Sequence, residues 1–308
     1  MSETEQYDQK LVGVDVSASA LKAVFLNQAG KILSSESLLL DRQENTLAQL
    51  ISFINHLKAR EGNFQQIGIA VPGLVSHATN RIVFSTHIPE QTEIDFINLV
   101  RDETGLEVLV ENDANAAAYG EFVCGAGRGS RNMFYVTLGA GVGGALIFNG
   151  EIWRGIAGFA GEFGYMTLNS EGMKLEEVAS TQNIIRRIRN RFHQDHTSSL
   201  VRIGEERITI ADVVREANNG DGFAQMMLER TGTYVGTGVA SVINLLNIEK
   251  IVVGGEVMEA ESFILPAIAG RARELSFVPS FETTQFLAGE LKDLATAVGA
   301  ALLTNKKN

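Results

Sequence analysis

The sequence predicts an α/β protein of two similar lobes, and three observations carry that reading. Apolar runs of strand length alternate with stretches of helical periodicity. Glycine outnumbers proline 31 to 4, and many of the glycines interrupt apolar sequence instead of forming a polar linker. A strand, small-residue turn, strand unit near the start recurs in the same order further along.

Taken in order, Leu11–Val16, Ala20–Leu26 and Lys31–Leu38 read as strands, the last two joined by the turn Asn27-Gln28-Ala29-Gly30. Leu47, Leu50, Ile51, Ile54 and Leu57 recur at three- and four-residue spacing, which predicts a helix over about 44–59 with one apolar stripe. Ile67–Val71 is a short buried strand ended by Pro72-Gly73, and Leu106–Val110 is another, followed at Asn112-Asp113 by an alanine-rich helix. Met133–Leu138 and Ala145–Asn149 then repeat the opening hairpin around a glycine turn, and Asn149-Gly150 turns the chain into Glu151-Ile152-Trp153. The interval from Asp15 to the turn residue Asn27 equals that from Thr137 to Asn149. Two such hairpins facing each other would enclose a cleft between duplicated lobes. Length fits: 308 residues allow two domains at roughly 150 each.

Composition narrows the partners. A net charge of −11 opposes binding to a nucleic-acid backbone or an anionic membrane face. One cysteine, Cys124, allows no internal disulfide and reads as a small core residue. The opening MSETEQYDQK has no apolar signal-peptide core, so a cytoplasmic location is expected.

Turns of small residues between strands can present successive backbone N–H groups to phosphate oxygens, so the two turns are either phosphate clamps, with Asp15 near Mg²⁺, or simply tight hairpins. Asp113 is either a helix N-cap or a carboxylate at the carboxyl end of a strand, placed to take a proton from a hydroxyl. Arg186, Arg187, Arg189 and Arg191 read as the solvated face of a helix starting near Ser180, with an anion patch as the lesser alternative. His56, His77, His193 and His196 suggest no metal cluster, and His87 in a loop reads as structural.

Asp15 with its turn, Val71-Pro72-Gly73-Leu74-Val75, Asn112-Asp113-Ala114-Asn115-Ala116-Ala117, Gly125–Gly129, Thr137–Gly144, Gly158–Gly164 and Val252–Gly255 together resemble the ROK family of bacterial sugar kinases and sugar-responsive repressors. The resemblance runs from Leu11 to about Leu302. It implies a two-lobed actin-like, ribonuclease-H-like ATPase fold, with a small lobe of 1–118 plus a C-terminal helix over about 292–308 and a large lobe of 119–291. It implies transfer of the γ-phosphate of ATP, with Mg²⁺, to a hydroxyl of a hexose or N-acetylhexosamine. Asp113 would be the catalytic base, and Asn112, Glu162, Tyr165, Glu176 and Gly73 would bind the sugar. Asp15, Ser17, Ala18 and Ser19 would form the first phosphate motif, with Asp15 reaching Mg²⁺ indirectly. Thr137, Gly139, Ala140 and Gly141 would form the second, and Gly254-Gly255 the adenosine side. A homodimer is expected, as is the absence of a DNA-binding domain.

The chain departs from the family pattern in places. Tyr165 stands where a zinc-binding His is usual, and no cysteine lies between Tyr165 and Glu176, so no zinc site is expected. Ser17-Ala18-Ser19 replaces Gly-Gly-Thr, and Ala140 replaces a Thr. Ser17 and Ser19 are expected to offer hydroxyl donors in place of the lost close approach. These changes keep open a second reading, a sugar-binding regulatory protein with weak or no kinase activity. Glu256 adds a negative charge beside Gly254-Gly255.

Overall fold

The computed structural model describes residues 10–62, 64–77, 79, 81–85, 95–192 and 197–306; His87, His193 and His196 lie outside them. The strands and helices are β1 (Leu11–Val16), β2 (Ala20–Leu26), β3 (Ile32–Leu39), α1 (Thr46–Glu61), β4 (Gln66–Val71), β5 (Leu74–Ser76), β6 (Arg81–Phe84), α2 (Phe96–Thr104), β7 (Glu107–Asn112), α3 (Asp113–Cys124), β8 (Met133–Leu138), β9 (Val142–Phe148), β10 (Glu151–Ile152), α4 (Glu176–Ala179), α5 (Thr181–Arg189), α6 (Ile210–Asn218), α7 (Gly222–Leu246), β11 (Lys250–Gly254), α8 (Glu261–Leu275), α9 (Val278–Glu282), β12 (Gln285–Ala288) and α10 (Ala295–Thr304). The α/β fold is the one the sequence predicts. The chain divides into two compact units: one holds the residues to Gly129, Gly150–Ala160 and Asp293 onward, the other Ser130–Asn149 and Gly161–Lys292.

In the first unit the sheet order is β3-β2-β1-β4-β7. β1 and β2 form an antiparallel hairpin, β2 and β3 another, and β4 and β7 add in parallel. In the second unit β8 pairs antiparallel with β9, and β11 and β12 add in parallel. Both units therefore carry a hairpin whose first strand continues into a parallel pair, which is the predicted repeat. β9 starts at Val142, earlier than the apolar run suggests, because Val142, Gly143 and Gly144 already pair with Leu138, Thr137 and Val136.

Helix ends follow local chemistry. Asn45 caps α1 by accepting from the Ala48 N–H, and Gly62 ends it at φ 67°. The apolar stripe on α1 buries Leu47, Leu50, Phe53, Ile54 and Leu57, which join Val12, Val14, Ile67 and Ile69 in the first core. In the second unit Val235, Val239 and Ile243 of α7 pack with Ile264 and Ile268 of α8 and with Val136, Ile251 and Val253 of the sheet.

α10 lies directly on the first sheet. A Cβ at Gly13 would stand 2.1 Å from the Ala297 carbonyl oxygen, and one at Gly68 1.9 Å from that of Ala300. Only glycine allows this approach of helix to strand. Among the described residues no helix is long and apolar enough to cross a membrane.

Candidate active site

In the first unit the candidate residues gather around the ends of β1 and β7. Asp113 opens α3, but the cap itself is Asn112: its Oδ1 accepts from the Asn115 N–H at 3.0 Å. The reading of Asp113 as N-cap is thereby corrected. Asp113 sits in the first turn, and its Oδ1 accepts from the Ala114 N–H at 2.8 Å and from Asn112 Nδ2 at 3.0 Å. These two bonds orient the carboxylate, and the helix N-terminus favours its charge. Asn112 Nδ2 also donates to the Gly73 carbonyl at 3.0 Å, tying the β4–β5 connection to the same point. Asn112, Asp113 and Gly73 are thus brought together.

Asp15, on β1, is close enough to Asp113 for the two carboxylates to repel. Burial, then the Asp113 charge, push Asp15 up to about 7, against the opposing pull of Lys22. Lys22 faces Asp15 across the β1–β2 ladder and is held by Asp293, with Nζ 2.6 Å from Oδ2. Two nearby carboxylates in a poorly solvated place form an anionic centre suited to a cation or to a proton.

The β1–β2 turn is closed by its own side chain. Ser17 Oγ donates to the Ala20 carbonyl at 2.9 Å and accepts from the Ala20 N–H at 3.1 Å, with the Ser19 N–H further off at 3.4 Å. Ser17, expected to aim its hydroxyl at phosphate, directs the proton into the turn instead. Ala18 and Ser19 are exposed at its tip.

Sequence reasoning missed the support beneath Asn112. Glu111 is 1% exposed and accepts from Arg154 Nε at 3.0 Å and Nη2 at 2.5 Å. It lies 3.3 Å from His77 Nε2 and accepts from Asn115 Nδ2 at 3.1 Å and the Asn112 N–H at 3.0 Å. Burial alone would raise its pKa, but the His77 hydrogen bond and the Arg154 charge override it and hold Glu111 at about 2. The available signal was a charged residue in the otherwise apolar run ending β7, which is buried only with partners.

In the second unit the β8–β9 turn is built differently. The Gly139 N–H donates to the Gly141 carbonyl at 3.0 Å, and the Gly139 carbonyl accepts from the Thr181 N–H at 2.8 Å. The N–H groups of Ala140 and Gly141 make no hydrogen bond to a described residue. Glu176, expected at the sugar, reaches this turn: Oε2 accepts from the Val142 N–H at 3.0 Å, and a Cβ at Gly141 would lie 3.0 Å from it. Thr137 is the last residue but one of β8, just ahead of the turn.

Gly254 ends β11 and Gly255 follows it. A Cβ at Gly255, where φ is 98°, would stand 2.3 Å from the Leu138 carbonyl, so the pair lies against the end of β8. Glu256 points back at the same turn, its Oε1 4.0 Å from the position of a Gly139 Cβ. Desolvation and then the Glu259 charge raise its pKa, and a hydrogen bond with Thr181 lowers it.

Glu162 is exposed, and Tyr165, 58% exposed, ends a short 3₁₀ turn with the Lys174 ammonium 4.1 Å from its ring centre. The short segment from Tyr165 to Glu176 closes on itself. Thr167 pairs with Lys174, the Leu168 N–H donates to Met173 O at 2.8 Å, and the Leu175 N–H donates to Met166 O at 2.9 Å. Backbone bonds thus hold a loop that contains neither Cys nor His. Among the described residues no three His, Cys, Asp or Glu side chains are grouped to hold a metal ion.

The ROK family model matches residues 11–307. The chain is 31% identical to a glucokinase of Halalkalibacterium halodurans over 97% of its own length and 96% of the relative's. It is 25% identical to a xylose repressor of Bacillus spizizenii, over 94% of its own length and 75% of the repressor's. Among solved structures, a ROK family glucokinase from Streptomyces griseus, in complex with glucose and AMPPNP, superposes with a TM-score of 0.83 at 28% identity, covering 96% of this chain and 98% of that one.

Proposed function

The chain belongs to the ROK family, and on that premise we propose how it works as a sugar kinase, with a hexose or N-acetylhexosamine as acceptor, ATP as donor and the cytoplasm as its place of work. The observation that carries the reading is the Asp113 carboxylate, oriented by Asn112 and the first turn of α3 and set against a second carboxylate, Asp15. Asp113 accepts the proton of the acceptor hydroxyl while that oxygen forms its bond to the γ-phosphorus. The bond from this phosphorus to the β,γ-bridging oxygen breaks, and ADP leaves. Asn112 and Glu162 hold sugar hydroxyls, with Gly73 shaping the backbone behind Asn112. Tyr165 offers one more hydroxyl contact. The N–H groups of Ala140 and Gly141, next to Thr137, are the donors for phosphate oxygens, and Gly254-Gly255 borders the adenosine.

Mg²⁺ fits the residues present: Asp15 and Asp113 are hard oxygen donors whose mutual repulsion a divalent cation relieves. Asp15 would hold the ion, which would supply positive charge beside the transferring phosphates. Phosphoryl transfer then needs mainly positioning, toward which the first unit offers Asp113 and Asp15 at the ends of β7 and β1.

The deciding experiment is an ATP-coupled assay over a panel of hexoses and N-acetylhexosamines with Asp113→Asn as control. Turnover on at least one sugar, cut by about 10²- to 10⁴-fold in the variant, is expected. No turnover on any sugar, or full turnover in Asp113→Asn, overturns the reading. The closed Ser17 turn favours one alternative, a sugar-binding regulator; sugar-induced thermal stabilisation with no effect of ATP would select it.

A further inference from the structure

The second unit holds a cavity of about 210 Å³ lined by Arg187, Asn190, Arg191, Met227, Arg230 and Tyr234. None of these residues belongs to the candidate active site. Arg187 lies in the last turn of α5 and Arg191 in the turn just past its end, with Arg230 and Tyr234 one turn apart on α7, so three guanidinium groups line one hollow.

Arg187 is not the solvated side chain its sequence context suggests. Its Nη2 donates to Thr231 Oγ1, whose own proton goes to the Met227 carbonyl at 2.9 Å. Its Cζ lies 5.3 Å from the centre of the Tyr234 ring. Its Nε and Nη1 are buried without a hydrogen-bond partner among the described residues. The C-terminal carbonyls of α5 explain why cations collect there, but they give these two nitrogens no acceptor. Burial pushes Arg187 down to about 10, with Tyr234 resisting and Arg230, Arg191 and Arg186 adding to the fall. No carboxylate among the described residues lines the cavity. A buried guanidinium with unmade hydrogen bonds, crowded by like charges in a protein of net charge −11, is costly unless an anion completes it.

We propose that this cavity is a binding site for a small phosphate monoester, with the phosphate held by Arg187, Arg191 and Arg230. Planar guanidinium groups match phosphate oxygens in pairs, which a carboxylate ligand would use less fully. Asn190 provides a donor and an acceptor for hydroxyls on the ester, and Met227 with the Tyr234 ring supplies the apolar wall against which its carbon skeleton lies. The volume accommodates a compact ester.

Isothermal titration calorimetry on the full chain at fixed ionic strength tests this, with inorganic phosphate and glucose 6-phosphate as probes and chloride as the control anion. The expected result is one saturable site that chloride does not mimic, with the ester bound more tightly than phosphate. Arg191→Ala/Arg230→Ala, on the more open side of the cavity, should weaken both probes at least about tenfold while leaving kcat and the melting temperature unchanged. Arg187→Lys keeps the charge and loses the fork, and should weaken both probes by several-fold. Absence of a saturable site in the wild type overturns the proposal. So does equal affinity in wild type and double variant, which would place the bound probe elsewhere, including at the active-site residues. An ester bound no more tightly than phosphate removes the role given to Met227 and Tyr234 and overturns the assignment to a monoester.

Discussion

The two hairpin turns occupy the same place in two units of the same topology, and they satisfy their backbones in opposite ways. The β1–β2 turn is closed from within by the Ser17 hydroxyl, which bonds both backbone groups of Ala20. The β8–β9 turn is braced from below by the Glu176 carboxylate and leaves the Ala140 and Gly141 N–H groups without an internal partner. Equal topology therefore does not mean equal chemistry: the second turn leaves two N–H groups for the phosphate role proposed above, whereas in the first the proposed role rests chiefly on Asp15, on the strand before it.

The sharpest way to break that comparison is to alter the equivalent strand residues. Asp15→Asn is expected to lower kcat by about 10³-fold, whereas Thr137→Val should lower kcat/KM for ATP by only about tenfold; coupled assays at saturating sugar read both. Similar losses would mean that the turns work alike. Next in size, Glu176→Ala removes the brace beneath the second turn and leaves the Val142 N–H unmet. A loss in kcat/KM for ATP of about 10- to 30-fold is expected, read in the same assay, while Glu176→Gln, which can still accept from that N–H, recovers most of it.

A third test sharpens the contrast between the active turns and their support. Glu111 is held well below its ordinary value, so its pairing with Arg154 and His77 stabilises the fold fully above about pH 4.5 and is lost as pH falls toward 2. Arg154→Ala leaves a buried carboxylate without the guanidinium whose Nε and Nη2 both donate to its Oε2. It should lower stability at pH 7 by about 3 kcal/mol, read by denaturant unfolding, with a wild-type to variant difference that shrinks below pH 4. The smallest effect belongs to the first turn. Ser17→Gly opens it by removing the internal hydroxyl, with about 1 kcal/mol lost from stability and a KM for ATP changed no more than a few-fold. A large drop in KM would show that Ser17 had been masking a second anion-binding turn.

The duplicated topology and a helix over about 44–59 were legible in the sequence because each rests on local patterning, whereas Asn112, Asp113 and Gly73 were grouped only by the family resemblance of their motifs. The long-range pairs were not. Nothing near Glu111 announces Arg154, 43 positions away, and the serines of the first turn look like outward donors until Ser17 is seen bonding Ala20. The arginines after Ser180 read as one solvated face because the sequence does not reveal that Tyr234 and Thr231 of α7 lie against Arg187. Glu176 was singled out by its motif and tied by the structure to Val142 of the second turn.

α10 has a consequence for how the molecule is made. Gly13 and Gly68 present the sheet face on which Ala297 and Ala300 rest, so the first unit is completed by a helix made only after the second unit. During translation the strands of the first unit wait with an apolar face uncovered while the second unit, nearly contiguous from Gly161 to Lys292, is already able to fold. The protein's assembly thus runs against the order of its synthesis, and the interval before α10 docks is when the nascent chain most needs protection from aggregation.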